Sequence, residues 1–424
     1  MKLQFLILFF FISVISFATE TSTLDKIFLK VFPEDYELYS NKQLYSPSSY
    51  NDHVKEYLIP SDSKSFFLRS DSYRDKYLFL NDNDHLESYP NPEWMENPIE
   101  IKLERMNSSL VFEDILDTGS QPKSVEFSPN GAYIAVALLN GSGVEIYSPF
   151  NMELIASLQP PDRWSEKKGF VETVFFKTRN ELWVSQMTTG MIHVFNTKNW
   201  DYKLSFDCGG SWPKVITLNK NEDTAYISNW ESRNISIVNS SEYSVKKTIF
   251  VNGIPRGLAV SPDGKYLYVA NYTSGDINKI DLVKNLVIKN IDLGNGALRH
   301  VVISEEKNRL YVSDMFHGTI TILNLNTDTV IKSFYAGSNI NTIKLSPEGD
   351  KLFISSRGHN NENGYLQKGP GFGKILVYNT IKKKITDWVW GGNQPTGLAV
   401  SPDNSLLVFS DFLDHRVEIY HIKS

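Results

Sequence analysis

Four basic residues stand at equivalent places in a segment that the chain repeats. They are Lys123, Lys214, Arg256 and Arg299, and the first three directly follow a proline. Lysine and arginine side chains bind carboxylates and phosphates, and the arginine guanidinium does so through two parallel hydrogen bonds. If the repeats converge, these side chains form a local anion site in a chain whose formal net charge is -6.

Aromatic and polar side chains accompany these cations in the same group of loops. Trp212 and Trp230 offer flat apolar area with a polar edge, which suits sugars and other ring-shaped ligands. The alternative for Trp212, which precedes a proline, is packing between neighbouring repeats. Asn271 and Asp314 end equivalent strands and are expected to orient polar groups of a ligand. The competing interpretation of the cations is that acidic side chains of the protein neutralise them.

The sequence lacks the motifs of the common catalytic and cofactor sites. It contains no Gly-x-Ser-x-Gly, P-loop, His-Glu-x-x-His or Cys-x-x-Cys-His segment. Cys208 is the single cysteine, which excludes an intramolecular disulfide and a cysteine-cluster metal site. We therefore expect no metal and no cofactor, and the acidic net charge argues against general binding of nucleic acid.

The repeat runs from about residue 109 to the end of the chain. Seven copies follow one another, and the residues that open their first tight turns are separated by 49, 42, 42, 43, 42 and 55 residues. These marker residues are Ser128, Lys177, Asn219, Ser261, Ser304, Ser346 and Ser401. A unit of about 42 residues is the length of one four-stranded blade of a β-propeller.

Each copy also has the pattern of four short strands. In the clearest copy, an apolar run stops at Ser261-Pro-Asp-Gly264, where proline and glycine suit a tight hairpin turn. Three β-rich runs follow, over 266–270, 277–282 and 286–293. The last copy ends after its third strand, so we predict that residues 110–116 supply the fourth strand and close the ring.

Two insertions interrupt the regular spacing, at residues 159–169 and 357–373. Both fall on the face where the loops lead into the blades. The second is rich in glycine and is expected to fold over the channel as a lid. A neutral surface insertion is the alternative.

The segment Tyr268-Val-Ala-Asn271 resembles the signature of the YVTN-type β-propeller repeat, and Tyr311-Val-Ser-Asp314 is a degenerate version. The resemblance spans about residues 109–422 and implies seven blades. Relatives of this type include periplasmic and cell-surface proteins, and the fold also resembles bacterial lactonases. Arg299-His300 is similar to a basic pair of those lactonases. The resemblance therefore leaves open the alternative that the protein is an enzyme, either a lactonase-like hydrolase or a redox partner. Arg299 and His300 would be its active pair.

The first residues have the pattern of a secretory signal. Lys2 precedes an apolar stretch over 3–15, and Ser16-Phe17-Ala18 places small residues where a signal peptidase cleaves. We expect cleavage after Ala18, export to a bacterial periplasm or cell surface, and no transmembrane segment in the mature chain. An uncleaved anchor is the alternative. Residues 19–100 do not repeat and are predicted to form a small β-rich module, with an eighth blade over 66–104 as the alternative.

Together these observations predict an all-β protein. It comprises a signal peptide over 1–18, a small β-rich module or arm over 19–100, and a seven-bladed β-propeller over 101–424 that an N-terminal strand closes. We expect a monomer that acts as a binding or scaffold module for a small anionic or glycan-like ligand or for a partner protein. The residues predicted to hold the ligand are Lys123, Lys214, Arg256, Arg299, Asn271, Asp314, Trp212 and Trp230.

Overall fold

The computed structural model describes residues 108–369 and 372–423 in full, and before them the backbone of short strands and the burial of Leu38. The chain divides into two compact units, Met1–Val111 and Phe112–Ser424. The described strands and their pairing confirm the prediction of an all-β protein.

Within residues 108–423 the structure forms seven four-stranded antiparallel sheets, which are the seven blades of a propeller. The first strands of neighbouring blades contact one another around the whole ring. From the axis outward, the strands of blades 1 to 7 are Pro122–Phe127, Ile134–Leu138, Val144–Ser148 and Glu153–Leu158; Phe170–Phe175, Glu181–Gln186, Met191–Asn196 and Tyr202–Asp207; Pro213–Leu218, Thr224–Asn229, Asn234–Asn239 and Ser244–Phe250; Pro255–Val260, Tyr266–Asn271, Asp276–Asp281 and Leu286–Asp292; Leu298–Ser304, Arg309–Asp314, Thr319–Asn324 and Thr329–Tyr335; Ile340–Leu345, Lys351–Ser356, Lys374–Asn379 and Lys384–Trp390; Pro395–Val400, Leu406–Asp411, Arg416–Ile422 and Leu110–Asp117.

In blades 1, 2 and 7 the second strand is the most deeply buried. Ile134–Leu138, Glu181–Gln186 and Leu406–Asp411 are buried over their full length. Strands covered on both faces have this pattern. The outer strand Leu286–Asp292 is largely exposed. The hydrophobic core therefore lies between the blades, around their inner strands.

The tight turn Ser261-Pro-Asp-Gly264 connects the first and second strands of its blade through side-chain hydrogen bonds. In blade 4, Ser261 Oγ donates to Asp263 Oδ1 at 2.6 Å and accepts from the backbone N–H of Tyr266 at 2.9 Å. Gly264 has a φ of +70°, which a residue with a Cβ rarely adopts. The turn sequence thus determines where the first strand ends and the second begins.

The strand Leu110–Asp117 closes the ring, as predicted. It is the outermost strand of blade 7 and pairs with Arg416–Ile422. Leu116 is buried within the cluster between blades 7 and 1. The ring of Phe112 packs edge-on against Tyr420, with 5.3 Å between the ring centroids. The seventh blade is therefore built from both ends of the repeat region.

The unit that precedes the propeller is also built from strands. Its described strands are Gln4–Ile7, Phe10–Ser13, Leu24–Leu29, Val31–Phe32, Glu37–Ser40, Gln43–Tyr45, Ser49–Asn51, Val54–Pro60, Ser65–Ser70, Tyr73–Leu80, Leu86–Glu87 and Ile101–Lys102. The strands from 65 to 87 belong to a five-stranded sheet together with the two strands from 37 to 45, so they do not form an eighth blade. The cleavage site predicted after Ala18 lies outside the described residues.

The described residues include one short helix, α1, Asp162–Ser165. It lies within the first insertion, between blades 1 and 2. In the described part of the chain, no helix is long and apolar enough to cross a membrane.

Candidate functional site

A serine in the second strand of a blade holds the backbone of the first strand of the next blade. Ser228 Oγ donates to the carbonyl oxygen of Arg256 at 2.9 Å and accepts from the N–H of Val215 at 3.1 Å. Ser185 Oγ likewise donates to the carbonyl oxygen of Lys214 at 2.8 Å. Because the bonds to the carbonyl oxygens of Arg256 and Lys214 cross between blades, they fix the height at which these two cationic side chains leave their strands. The sequence analysis did not use these serines, although each is the penultimate residue of a second strand.

One end of the channel forms a cavity of about 290 Å³, which we call the mouth cavity. The starts of the first strands and the residues directly after the second strands of blades 1 to 5, together with the insertion in blade 6, contribute its walls. Its lining residues are Lys123, Leu139, Val171, Met187, Trp212, Lys214, Trp230, Arg256, Tyr272, Arg299, Met315, Arg357, Asn360 and Tyr365. The structure therefore brings together six of the eight residues predicted as a site, namely Lys123, Lys214, Arg256, Arg299, Trp212 and Trp230.

Three arginine side chains of the mouth cavity are almost fully buried. Arg256, Arg299 and Arg357 are 5%, 8% and 3% exposed. Arg256 Nη2 donates to Glu172 Oε1 at 2.6 Å, and Arg299 Nε donates to Asn341 Oδ1. Burial lowers the pKa of Arg299 and of Arg357, and repulsion between the guanidinium groups lowers that of Arg299 further. The cavity thus concentrates positive charge that the protein only partly compensates.

The two lysines of the mouth cavity contact neutral groups. Lys214 Nζ lies 2.9 Å from Met187 Sδ, and Lys123 Nζ lies 4.6 Å from the ring centroid of Phe412. Burial lowers the pKa of Lys214 to about 7, and repulsion from the nearby arginines acts in the same direction. Burial and the same repulsion hold the pKa of Lys123 well below its ordinary value. Both ammonium groups would therefore gain from an anion nearby.

Trp212 lies at the mouth in an uncommon backbone conformation. Its φ is +58° and its exposed fraction is 41%. Gln121 and Gln394, which hold the same position in other blades, share the positive φ, so the backbone belongs to the repeat and the indole is particular to blade 3. The exposure of Trp212 argues against packing between blades. Trp230 and Tyr272 line the same cavity, with 4.8 Å between their ring centroids.

The insertion in blade 6 supplies Arg357, a cation that the sequence analysis did not identify. The ring centroid of Tyr365 lies 5.6 Å from Arg357 Cζ, and the Tyr365 carbonyl oxygen accepts from Gln394 Nε2 at 2.7 Å. Lys368 Nζ pairs with Asp414 Oδ1 at 2.8 Å, which attaches the insertion to blade 7. The insertion therefore contributes to the mouth cavity, through contacts that the repeat pattern does not predict.

A sequence signal for Arg357 does exist, at the position that directly follows Asn271, Asp314 and the equivalent last residues of the other second strands. The residue directly after the second strand is apolar or aromatic in six blades and arginine in blade 6. In order, these residues are Leu139, Met187, Trp230, Tyr272, Met315, Arg357 and Phe412. The first six line the mouth cavity. An alignment of this position would have identified both its apolar wall and its fifth cation.

Asn271 and Asp314, predicted to orient a ligand, do not line the mouth cavity. Both are buried at the ends of second strands. Asn271 Nδ2 donates to Asp276 Oδ1 at 3.0 Å, and Asp314 bonds to His317 Nδ1 at 2.7 Å and to the N–H of Ala297 at 2.9 Å. Because successive side chains of a strand point to opposite faces, the next residue in each blade faces the cavity instead.

Arg299 and His300 line different cavities. His300 lines a second cavity of about 180 Å³, formed by the first strands of all seven blades and therefore lying in the central channel. Burial lowers the pKa of His300 to about 3, so the imidazole is neutral and a weak base at ordinary pH. The basic pair that the resemblance suggested as an active pair is thus divided between the mouth and the channel.

The described residues offer little for metal or thiol chemistry. Within residues 108–369 and 372–423, no three His, Cys, Asp or Glu side chains come together in a way that could hold a metal ion. Cys208 is buried, and burial raises the pKa of its thiol to about 12. The thiol is therefore protonated and unreactive at ordinary pH.

Comparison with known proteins places the chain among its relatives. Over 330 residues it is 39% identical to the protein named Antigen Lp49 of Leptospira interrogans serogroup Icterohaemorrhagiae serovar copenhageni (strain Fiocruz L1-130), covering 76% of this chain and 71% of that protein. The chain belongs to the Lp49 antigen family. No family model matches the sequence of this chain.

A solved structure, the hydrazine synthase of Kuenenia stuttgartiensis, is similar to the structure of this chain. The TM-score is 0.62 over 72% of this chain and 97% of that chain. The sequence identity is 16%, so the likeness shows a shared propeller fold and nothing about activity.

Proposed function

We propose that this member of the Lp49 family is an exported binding protein whose mouth cavity takes a small anionic ligand. The observation that carries the proposal is the imbalance of charge at the mouth. Five lysine and arginine side chains line one cavity, and the one carboxylate paired with them in the described structure is Glu172. An anion held there gains charge-assisted hydrogen bonds and relieves the repulsion among the cations.

The size of the cavity favours a small molecule. A volume of about 290 Å³ is near the lower limit of ordinary ligand sites. The buried arginines lie inside this cavity, where a flat protein surface does not reach them. We therefore assign the mouth to a small ligand and leave a partner protein to the outer faces of the blades.

Export is supported by the start of the chain and by the family. Lys2 and the apolar stretch over 3–15 have the pattern of a signal sequence, and the relative is named as an antigen. The segment Tyr268-Val-Ala-Asn271 supports assignment of the repeats to the YVTN type, whose members include periplasmic and cell-surface proteins. We place the mature protein in the periplasm or on the cell surface.

A thermal-shift experiment tests anion binding at the mouth. The purified protein is melted with 5 mM sulfate, phosphate, citrate or benzoate, alongside the double variant Arg299→Gln/Arg357→Gln. Lys247→Gln, on the outer strand Ser244–Phe250, is the charge control. A ligand at a hundred times its Kd stabilises the folded state by about 2.7 kcal/mol.

We expect at least one of these anions to raise the Tm of the wild type and of Lys247→Gln and to leave the double variant unchanged. The double variant itself should fold, because it removes buried positive charges that repel each other. A Tm that no anion moves, or equal shifts in all three proteins, would contradict the proposal.

A further inference from the structure

The guanidinium of Arg357, a residue that lines the mouth cavity, has one edge that is buried and without a partner among the described residues. Its Nε and Nη2 atoms are buried and have no hydrogen-bond partner among the described residues, and the side chain is 3% exposed. These two N–H groups form one edge of the guanidinium, which is the fork that matches the two oxygens of a carboxylate. A buried donor without a partner is costly, so the fork is a strong candidate for ligand contact.

A second unpaired donor lies in the same cavity. Arg256 Nη1 is buried without a partner in the described structure, while Nη2 of the same side chain pairs with Glu172. Both guanidinium groups therefore keep buried N–H groups for which the described residues offer no acceptor. The ring of Tyr365 lies over Arg357, with its centroid 5.6 Å from Cζ, so a ligand reaches the fork by displacing this ring.

The walls of the mouth cavity argue against a sugar as the body of the ligand. Sugar hydroxyl groups need acceptors as well as donors, whereas lysine and arginine side chains are donors only. Asn360 is the one amide among the lining side chains of the described structure, and no carboxylate is among them. A hydroxyl-rich ligand would therefore lose hydrogen bonds to water without replacing them.

The remaining walls are apolar or aromatic. They are formed by Leu139, Val171, Met187, Trp212, Trp230, Tyr272, Met315 and Tyr365. Trp212 keeps a partly exposed indole in a backbone conformation that is unfavourable for a bulky residue. Such walls gain from contact with a flat apolar ring, and a bare inorganic anion would leave them in contact with water.

Building on the proposed function, we infer that the mouth cavity binds a small aromatic carboxylate. The carboxylate would lie on the Nε–Nη2 edge of Arg357, with Arg256 Nη1 beside it. The aromatic body would lie along Trp212, Trp230 and Met187, beside the Lys214 ammonium, whose Nζ is 5.4 and 5.6 Å from the two indole centroids and 2.9 Å from Met187 Sδ. This arrangement uses the unpaired donors and the apolar walls together, which neither an inorganic anion nor a sugar acid does.

Isothermal titration of the wild-type protein separates these ligand classes. The probes are naphthalene-2-carboxylate, glucuronate, which has a carboxylate on a hydroxylated ring, and inorganic phosphate, which has charge alone. Burial of an aromatic body contributes about 2 kcal/mol, so we expect naphthalene-2-carboxylate to bind about 30-fold more tightly than glucuronate or phosphate. Quenching of tryptophan fluorescence gives a second readout, because Trp212 and Trp230 line the cavity.

Two variants of Arg357 test the fork itself. Arg357→Gln should weaken binding of naphthalene-2-carboxylate about 30-fold. Arg357→Lys, which keeps the charge but not the two-pronged geometry, should still weaken it about tenfold. Lys247→Gln should bind as the wild type does, and far-ultraviolet circular dichroism confirms that each variant is folded.

The outcomes separate this inference from the proposed function. If glucuronate or phosphate binds as tightly as naphthalene-2-carboxylate, or if Arg357→Lys binds like the wild type, the aromatic carboxylate is wrong while anion binding stands. If none of the three probes binds and no anion shifts the Tm, both the inference and the proposed function fall. The comparison of probes on the wild type does not depend on the folding of any variant.

Discussion

Replacing Glu172 by glutamine isolates the carboxylate that pairs with the mouth cations. Arg256 Nη2 and Glu172 Oε1 are 2.6 Å apart, and the two side chains are 7% and 22% exposed. Breaking a fully buried ion pair costs about 3–5 kcal/mol, and an exposed pair contributes less than about 1 kcal/mol. Because this pair is partly exposed and glutamine keeps one acceptor oxygen, we expect the free energy of unfolding to fall by about 2 kcal/mol, or Tm by about 3 °C.

The same substitution should strengthen anion binding. Two unit charges about 10 Å apart interact by about 1.7 kcal/mol at an effective dielectric constant near 20. Removing the negative charge of Glu172 therefore lowers the Kd of naphthalene-2-carboxylate by about 18-fold. The prediction thus joins two opposite effects, a less stable free protein and a tighter complex.

Thermal melts and isothermal titration of Glu172→Gln, with Glu242→Gln as the matched control, measure both effects. Glu242 is exposed in a turn of blade 3. If Glu172→Gln is as stable as the control, the ion pair does not hold Arg256 in place. If the variant is less stable but binds the probe no better, Glu172 does not limit the positive potential of the mouth.

Three further predictions follow from other parts of the propeller. Leu116→Ala, in the buried face of the closing strand, should lower the free energy of unfolding in urea by about 3 kcal/mol, whereas Ile155→Ala on an exposed strand should cost much less; equal losses would mean that the closing strand is not stabilising. Lys368→Ala should change the free energy of unfolding by less than about 1 kcal/mol, because the side chain is about half exposed. Limited proteolysis within residues 358–369 should nevertheless become faster. An unchanged cleavage pattern would show that the ion pair does not hold the insertion. The pKa of Lys214 is lowered to about 7, so the affinity for naphthalene-2-carboxylate should fall as the pH rises through that value. The free protein should become more stable between about pH 7 and 10.5, because the unfolded chain binds more protons there. A Lys214→Gln variant that keeps the full pH dependence would refute this assignment.

The architecture of the propeller could be predicted from the sequence because it repeats. A period of about 42 residues and turns such as Ser261-Pro-Asp-Gly264 are local signals, and a blade pairs mainly with its own strands. The missing fourth strand of the last copy left residues 110–116 as its partner, and the structure has that pairing. Equivalent positions in equivalent repeats meet at one end of the channel, which is why four cations could be placed together.

Contacts that cross between blades could not be predicted in this way. Arg256 pairs with Glu172, 84 residues earlier in the chain, and no local pattern identifies that partner. Arg357 is the first residue of the insertion at 357–373, whose path has no counterpart in other blades. His300 directly follows Arg299. Because side chains alternate along a strand, the two residues line different cavities.

The sequence by itself thus determined the number of blades, the closure of the ring and the positions of four mouth cations, because these depend on local turns and on repetition. The tertiary structure alone decided which cations are neutralised, which side chains face the cavity and which donors remain unpaired. Those properties depend on distances between neighbouring blades and on burial, and both are set when the sheets pack around the common axis.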